Sequence, residues 1–182
     1  MLSHLRDTCK PWEPYPIDRR WKNDFCFSYS QVHGARSEKF ISERMAKNPK
    51  DTFLQQIGIP QVRAALEIKR GNPAAAVEAL KPAAAFERAD PGTPFYRGMA
   101  YLAMKSGTEA AAQFREITDR KSFFPLSAVH PMSQLGLARA LAMAGDAAGA
   151  RSAYQDLFAV WKDADPELPL LKQAKAEYAK LP

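Results

Sequence analysis

Only two cysteines, Cys9 and Cys26, occur in 182 residues, too few for a disulfide-stapled scaffold. No run of about 18 or more apolar residues exists, so no membrane-spanning helix is expected. The opening stretch MLSHLRDTCKPWEP lacks the apolar region of a secretory signal. With the scarce cysteines, that predicts a reducing, cytoplasmic setting. Period-2 alternation of useful length is missing as well, which argues against strands. Neither sign of charge dominates: the formal charge is +6, and basic residues mostly alternate with Asp and Glu. That balance reads as a solvated helical surface rather than one made for nucleic acid or anionic lipid. Alanine is absent from residues 1–34, which hold both cysteines, two of the three tryptophans and three prolines. From Ala35 onward alanine is the commonest residue. The shift divides the chain into an irregular N-terminal segment, 1–35, and a helical body, 36–182.

The body punctuates itself with Gly, Pro and capping residues. Ser37 to Lys47 reads as a helix with Phe40, Ile41 and Met45 inward, ended by Asn48-Pro49. Asp51 can cap the next helix, and Gly58 and Pro60 predict a kink or restart within it. Gly71 closes it. Asn72-Pro73 and Thr93-Pro94 each read as a side-chain cap followed by proline in the first turn. The Asn72 helix should run through Ala76, Leu80 and Ala83, and the Thr93 helix from Pro94 to about Lys105. A partner helix is expected from Glu109 to about Ile117. Another starts at His130-Pro131 and ends at Gly145. Asp146 caps the following one, which ends near Trp161. A last helix starts at Pro166 or Pro169, with Leu171, Ala174, Tyr178 and Leu181 on one stripe.

Three alanines keep step through these elements. Ala76, Ala110 and Ala150 each follow a Gly-containing turn, and each precedes a large apolar residue by four: Leu80, Phe114 and Tyr154. A small and a large residue at i and i+4 share one helix face, the first allowing close approach and the second filling a neighbour's space. Gly98 with Tyr101, and Ala138 with Leu141, lie at matching points on the preceding helices. In the first hairpin Ala64 keeps the small position, but Glu67 replaces the large one. This pattern resembles the tetratricopeptide repeat. The first spacing, 34 residues, is that family's period; the second, 40, places six extra residues in KSFFPLSAVHPM. The resemblance implies an all-α, right-handed solenoid of about three helical hairpins with a C-terminal capping helix.

Two stretches, DTFLQQIGIPQVRAALEIKRGNPAAAVEAL and QLGLARALAMAGDAAGARSAYQDLFAVWKDADPELPLLKQAKAEYAKL, are similar to the repeat-bearing tails of acidobacterial serine/threonine protein kinases. The resemblance covers about residues 37–182 and stops short of the kinase itself. The Gly-rich phosphate loop, the His-Arg-Asp run and the Asp-Phe-Gly that phosphoryl transfer requires are missing from the sequence. It implies a docking or regulatory piece of bacterial signalling, or a kinase fragment without its catalytic domain.

Candidate chemistry is sparse. Cys9, Cys26, His4 and His33 could supply four zinc ligands, but without any closely spaced pair. His130 before Pro131 reads as a turn residue, and Ser127 and Ser133 as loop and first-turn residues. Asp163 and Asp165 lack the further oxygens of a calcium loop, and Asp165 before Pro166 reads as a cap. Arg19, Arg20, Trp21, Lys22, Phe25, Phe27 and Tyr29 interleave cations with aromatics, a pattern single-stranded nucleic acid can use. Hydrophobic anchoring of the N-terminal segment is the simpler reading. No metal or cofactor, and no small-molecule substrate, is expected. The resemblance instead implies a partner groove on the first helix of each hairpin. By helical phase its lining would be Ala65, Ile68 and Lys69; Phe95, Met99 and Leu102; and Leu135, Arg139, Ala142 and Met143. That mix suits a peptide with apolar anchors and an acidic group.

Overall fold

The computed structural model describes residues 34–120 and 129–182, which form eight α-helices and, among the described residues, no strand. They are α1 (Gly34–Lys47), α2 (Ile59–Arg70), α3 (Pro73–Ala79), α4 (Gly92–Ala103), α5 (Gly107–Thr118), α6 (Val129–Met143), α7 (Ala147–Val160) and α8 (Pro169–Tyr178). The expected interruption at Gly58 takes the form of a π-helical stretch, Leu54–Gly58, immediately before α2. Asp51 caps it as expected, its Oδ1 accepting from Leu54 N at 2.9 Å. Short turns pair α2 with α3, α4 with α5 and α6 with α7, and from α2 to α8 neighbours in sequence are neighbours in space. The first helices also touch one another, α2 with α4 and α4 with α6, while α8 packs on α7.

Several boundaries depart from the sequence reading, each for a local reason. The α3 helix ends at Ala79 instead of running through Ala83, and Lys81–Phe86 continues as a 3₁₀ helix. Pro82 has no N–H to donate to residue 78, so the α-helical ladder is broken there. Asn72 does not cap α3 through its side chain; its Nδ2 donates to Glu67 Oε2 at 3.1 Å. Thr93 is not the cap of α4 but lies in its first turn. Asp90 takes the capping role, its Oδ2 accepting from Thr93 N at 3.0 Å. Asp165 accepts from Glu167 N in a turn, and α8 starts only at Pro169. Asp146 caps α7 as expected, with Gly149 N donating to its Oδ1 at 2.9 Å. Gly71 and Gly145 end α2 and α6 at φ of 81° and 84°, a left-handed conformation that glycine adopts without strain. Of the long loop expected at KSFFPLSAVHPM, Val129 onward is already α6; the remainder, like residues 1–33, lies outside the described residues.

The alanine register is a burial register. Ala76, Ala110 and Ala150 are fully buried, and so in effect are Leu80, Phe114 and Tyr154. Phe114 sits at the seam between hairpins. A Cβ added at Gly98 on α4 would come within 2.8 Å of its ring, and one added at Gly136 on α6 within 2.5 Å. The ring therefore occupies a slot that only two glycines leave open, with Phe95 edge-on at a centroid distance of 6.2 Å. At the start of α5, Gly107 lies against the backbone of Ala140 and Ala144, where a Cβ would sit 2.7 Å from both. Two helix backbones meet there with no side chain between them.

Candidate functional site

The ten residues expected to line a groove on α2, α4 and α6 divide into two groups. Ile68, Phe95, Leu102 and Leu135 are buried, the last at 1% exposure, and are core residues instead of lining. The helix contacts supply the reason. Helix α4 packs on α5 and also on α2 and α6, so residues along two of its edges are covered by neighbours. Helical phase gives a residue's direction but not how many elements surround it. The other residues reach the surface to different degrees: Ala65, Met99 and Ala142 are half-buried, and Lys69 and Met143 are exposed. Arg139, expected as a groove cation, is committed elsewhere. Its Nε and Nη2 donate to the two carboxylate oxygens of Glu177 on α8, each at 2.8 Å.

That fork is the centre of a polar cluster fastening α8 to the third hairpin. Tyr154 on α7 donates its hydroxyl to the same Glu177 at 2.8 Å, and Tyr178 packs edge-on against Tyr154 and Phe158. Arg151 lies over the Tyr178 ring and donates to Leu181 O at 2.9 Å. Leu170, Leu171 and Ala174 supply the buried apolar side of α8. Burial, and then the negative charge and hydrogen bond of Glu177, raise the pKa of the Tyr154 phenol. A raised pKa means the folded state binds this proton more tightly than the unfolded chain. Its stabilising effect is complete below the ordinary tyrosine value of about 10 and is lost as pH rises beyond it. Urea unfolding at successive pH values above neutrality should therefore show stability falling in alkali, with a shallower fall for Tyr154→Phe. Parallel curves for the two proteins would contradict this.

A concavity not anticipated from the sequence lies among α1, α2 and α3. Ile41, Leu66 and Ala79 line its apolar part; Arg63, Glu67 and Arg70 bring charge to it; its volume is about 390 Å³. Glu67, the residue that breaks the repeat pattern, organises one end by accepting from Arg70 Nη1 at 2.6 Å and from Asn72. Those bonds, the one from Asn72 foremost, hold its carboxyl below the usual range against the opposing effect of burial. The stripe Arg63, Leu66/Glu67, Arg70 at i, i+3/i+4 and i+7 was a signal in the sequence. Without the course of α1 there was nothing for it to face.

Other sequence candidates carry less. Ser133 is buried and donates to Val129 O at 2.7 Å, a contact internal to its helix. His4, Cys9, Cys26, His33, Ser127 and the cation–aromatic run from Arg19 to Tyr29 lie outside the described residues. Among the described residues no group of three or more His, Cys, Asp or Glu could hold a metal, and no helix is long and apolar enough to cross a membrane. Compared with protein-family models, curated proteins and solved structures, the chain matches none.

Proposed function

We propose that residues 36–182 are a tetratricopeptide-like α-solenoid of three hairpins, α2/α3, α4/α5 and α6/α7, with α8 as its cap, and that it is a non-catalytic protein-interaction module. The observation that carries this reading is the coincidence of spacing and burial. The pairs Ala76/Leu80, Ala110/Phe114 and Ala150/Tyr154 recur at 34 and 40 residues, and all six side chains are buried. Contacts between successive first helices, α2 with α4 and α4 with α6, are what a stacked repeat requires and an unordered bundle does not. The partner is a protein or peptide, met by the residues of the first helices that reach the surface, exposed Lys69 and Met143 with half-buried Met99 and Ala142. The similarity to kinase tails makes bacterial signalling its setting and docking its task.

Photo-crosslinking from single positions of the full chain tests this. A benzoylphenylalanine at Lys69 or Met143 should give discrete adducts in a cell extract, competed by excess unlabelled protein. The same group at Ala112 or Glu116, exposed on α5, should give none of them. The same adducts from both faces, or none from either, would overturn the assignment.

A further inference from the structure

We propose that the cleft among α1, α2 and α3 is a separate docking site for an extended peptide that places an aliphatic side chain on Ile41 and Leu66 and a carboxylate on Arg63. The inference rests on the preceding one only for the class of partner, a polypeptide, and uses none of the same residues. Its volume, about 390 Å³, falls near the small end of ligand pockets, roughly 300–1,000 Å³, and suits a few side chains rather than a folded domain. Ile41 and Leu66 are each buried to within 5% of complete and supply a firm apolar floor, extended by Ala79.

The charges around that floor are unequal. Arg70 is neutralised by Glu67 at 2.6 Å, and Glu67 also accepts from Asn72, so this end has little net charge to offer. Arg63 at the other end is exposed, and its Nη2 rests 3.8 Å from Met45 Sδ, a weak acceptor. Among the described lining residues Arg63 thus sets a positive charge beside an apolar floor, and its complement is an anionic group beside an aliphatic one. A guanidinium binds a carboxylate through parallel hydrogen bonds and selects it over a neutral amide. Arg63 and Leu66 lie three residues apart, about 4.5 Å along α2, and two residues of extended chain, which return a side chain to the same face, span about 7 Å, the difference lying within the reach of the arginine side chain. The pattern to expect in the partner is an aliphatic residue two positions from an Asp or Glu.

Methyl-detected NMR on the full chain reads this directly. The probe is the capped peptide Ser-Leu-Ser-Glu-Ser, titrated against protein labelled at Ile, Leu and Met methyls. Saturable shifts are expected at Ile41 and Leu66. The Glu→Gln peptide should bind roughly tenfold more weakly, the scale of one charge-assisted contact. Arg63→Gln should cost the same factor for the Glu peptide and nothing for the Gln peptide, while leaving the unliganded spectrum otherwise unchanged. Equal binding of the two peptides, insensitivity to Arg63→Gln, or no shift at Ile41 and Leu66 would overturn the proposal. So would isovalerate alone binding as tightly as the peptide, because the ligand would then be a small carboxylate. Shifts at Met143 or Met99 instead would reject this cleft while favouring the strip on the first helices, so the two readings fail separately.

Discussion

Phe114→Ala is expected to lower stability by about 3–5 kcal/mol, the range for removing a fully buried ring from a core that collapses only partly. The magnitude follows from the position of the ring. It belongs to the second hairpin, yet it fills the slot between Gly98 on α4 and Gly136 on α6, so its loss opens the interface between two hairpins at once. Neither glycine has a side chain that could swing into the space, and backbone cannot follow it. For a domain with a total stability of about 5–15 kcal/mol, this is a large share. The melting temperature should fall by roughly 6–20 °C, and the urea midpoint should move with the slope unchanged if cooperativity is kept. A loss below about 1 kcal/mol, the scale of an ordinary surface change, would mean the hairpins do not meet on this ring.

Gly136→Ala tests the same slot from the other side, and its sign is the informative part. In an exposed helix the substitution would stabilise by about 1 kcal/mol, because alanine loses less backbone freedom. Here the new Cβ would stand 2.5 Å from the tip of the Phe114 ring, closer than real carbon contacts come. The ring has little room to retreat, since it also lies against Gly98, where an added Cβ would come within 2.8 Å of the same ring atoms. Overpacking at about 1–3 kcal/mol should therefore outweigh the propensity gain and give net destabilisation. The double variant Phe114→Leu/Gly136→Ala supplies the control. The shorter side chain makes room for the methyl, so the pair should be more stable than the sum of the single effects predicts, by roughly 0.5–3 kcal/mol of coupling. Additive behaviour in urea unfolding would place the two residues apart.

Part of this slot was legible in the chain. Phe114 stood out as the large member of a small–large pair and Gly98 as the small residue on the preceding helix, both from spacing alone. Gly136 was missed because the pattern puts the small residue of α6 at Ala138, which is also fully buried. Two small residues two positions apart, about 200° around the helix, serve two different neighbours. A repeat template assigns only one of them.

The same limit governed the groove. Met143 and Lys69 are exposed, as their phase implies, whereas Phe95 and Leu102 are buried. Phase reports the direction of a side chain relative to its own helix. Exposure depends on how closely the next helix approaches, which is set by residues 30 to 40 positions away in sequence.

The sequence by itself determined the helical class, the turns at Gly71 and Gly145, the caps at Asp51 and Asp146, and the three buried alanines. The class, turns and caps rest on interactions within a few residues along the chain, where backbone geometry leaves little choice, and the alanines were marked by their recurring spacing. Only the tertiary structure decided that Arg139 meets Glu177 across 38 residues, that Phe114 lies between glycines of two helices, and that Arg63 overlooks a cleft floored by Ile41. Such contacts are fixed by packing distances between helices, where a difference of an ångström separates core from surface. Local pattern holds no record of that spacing.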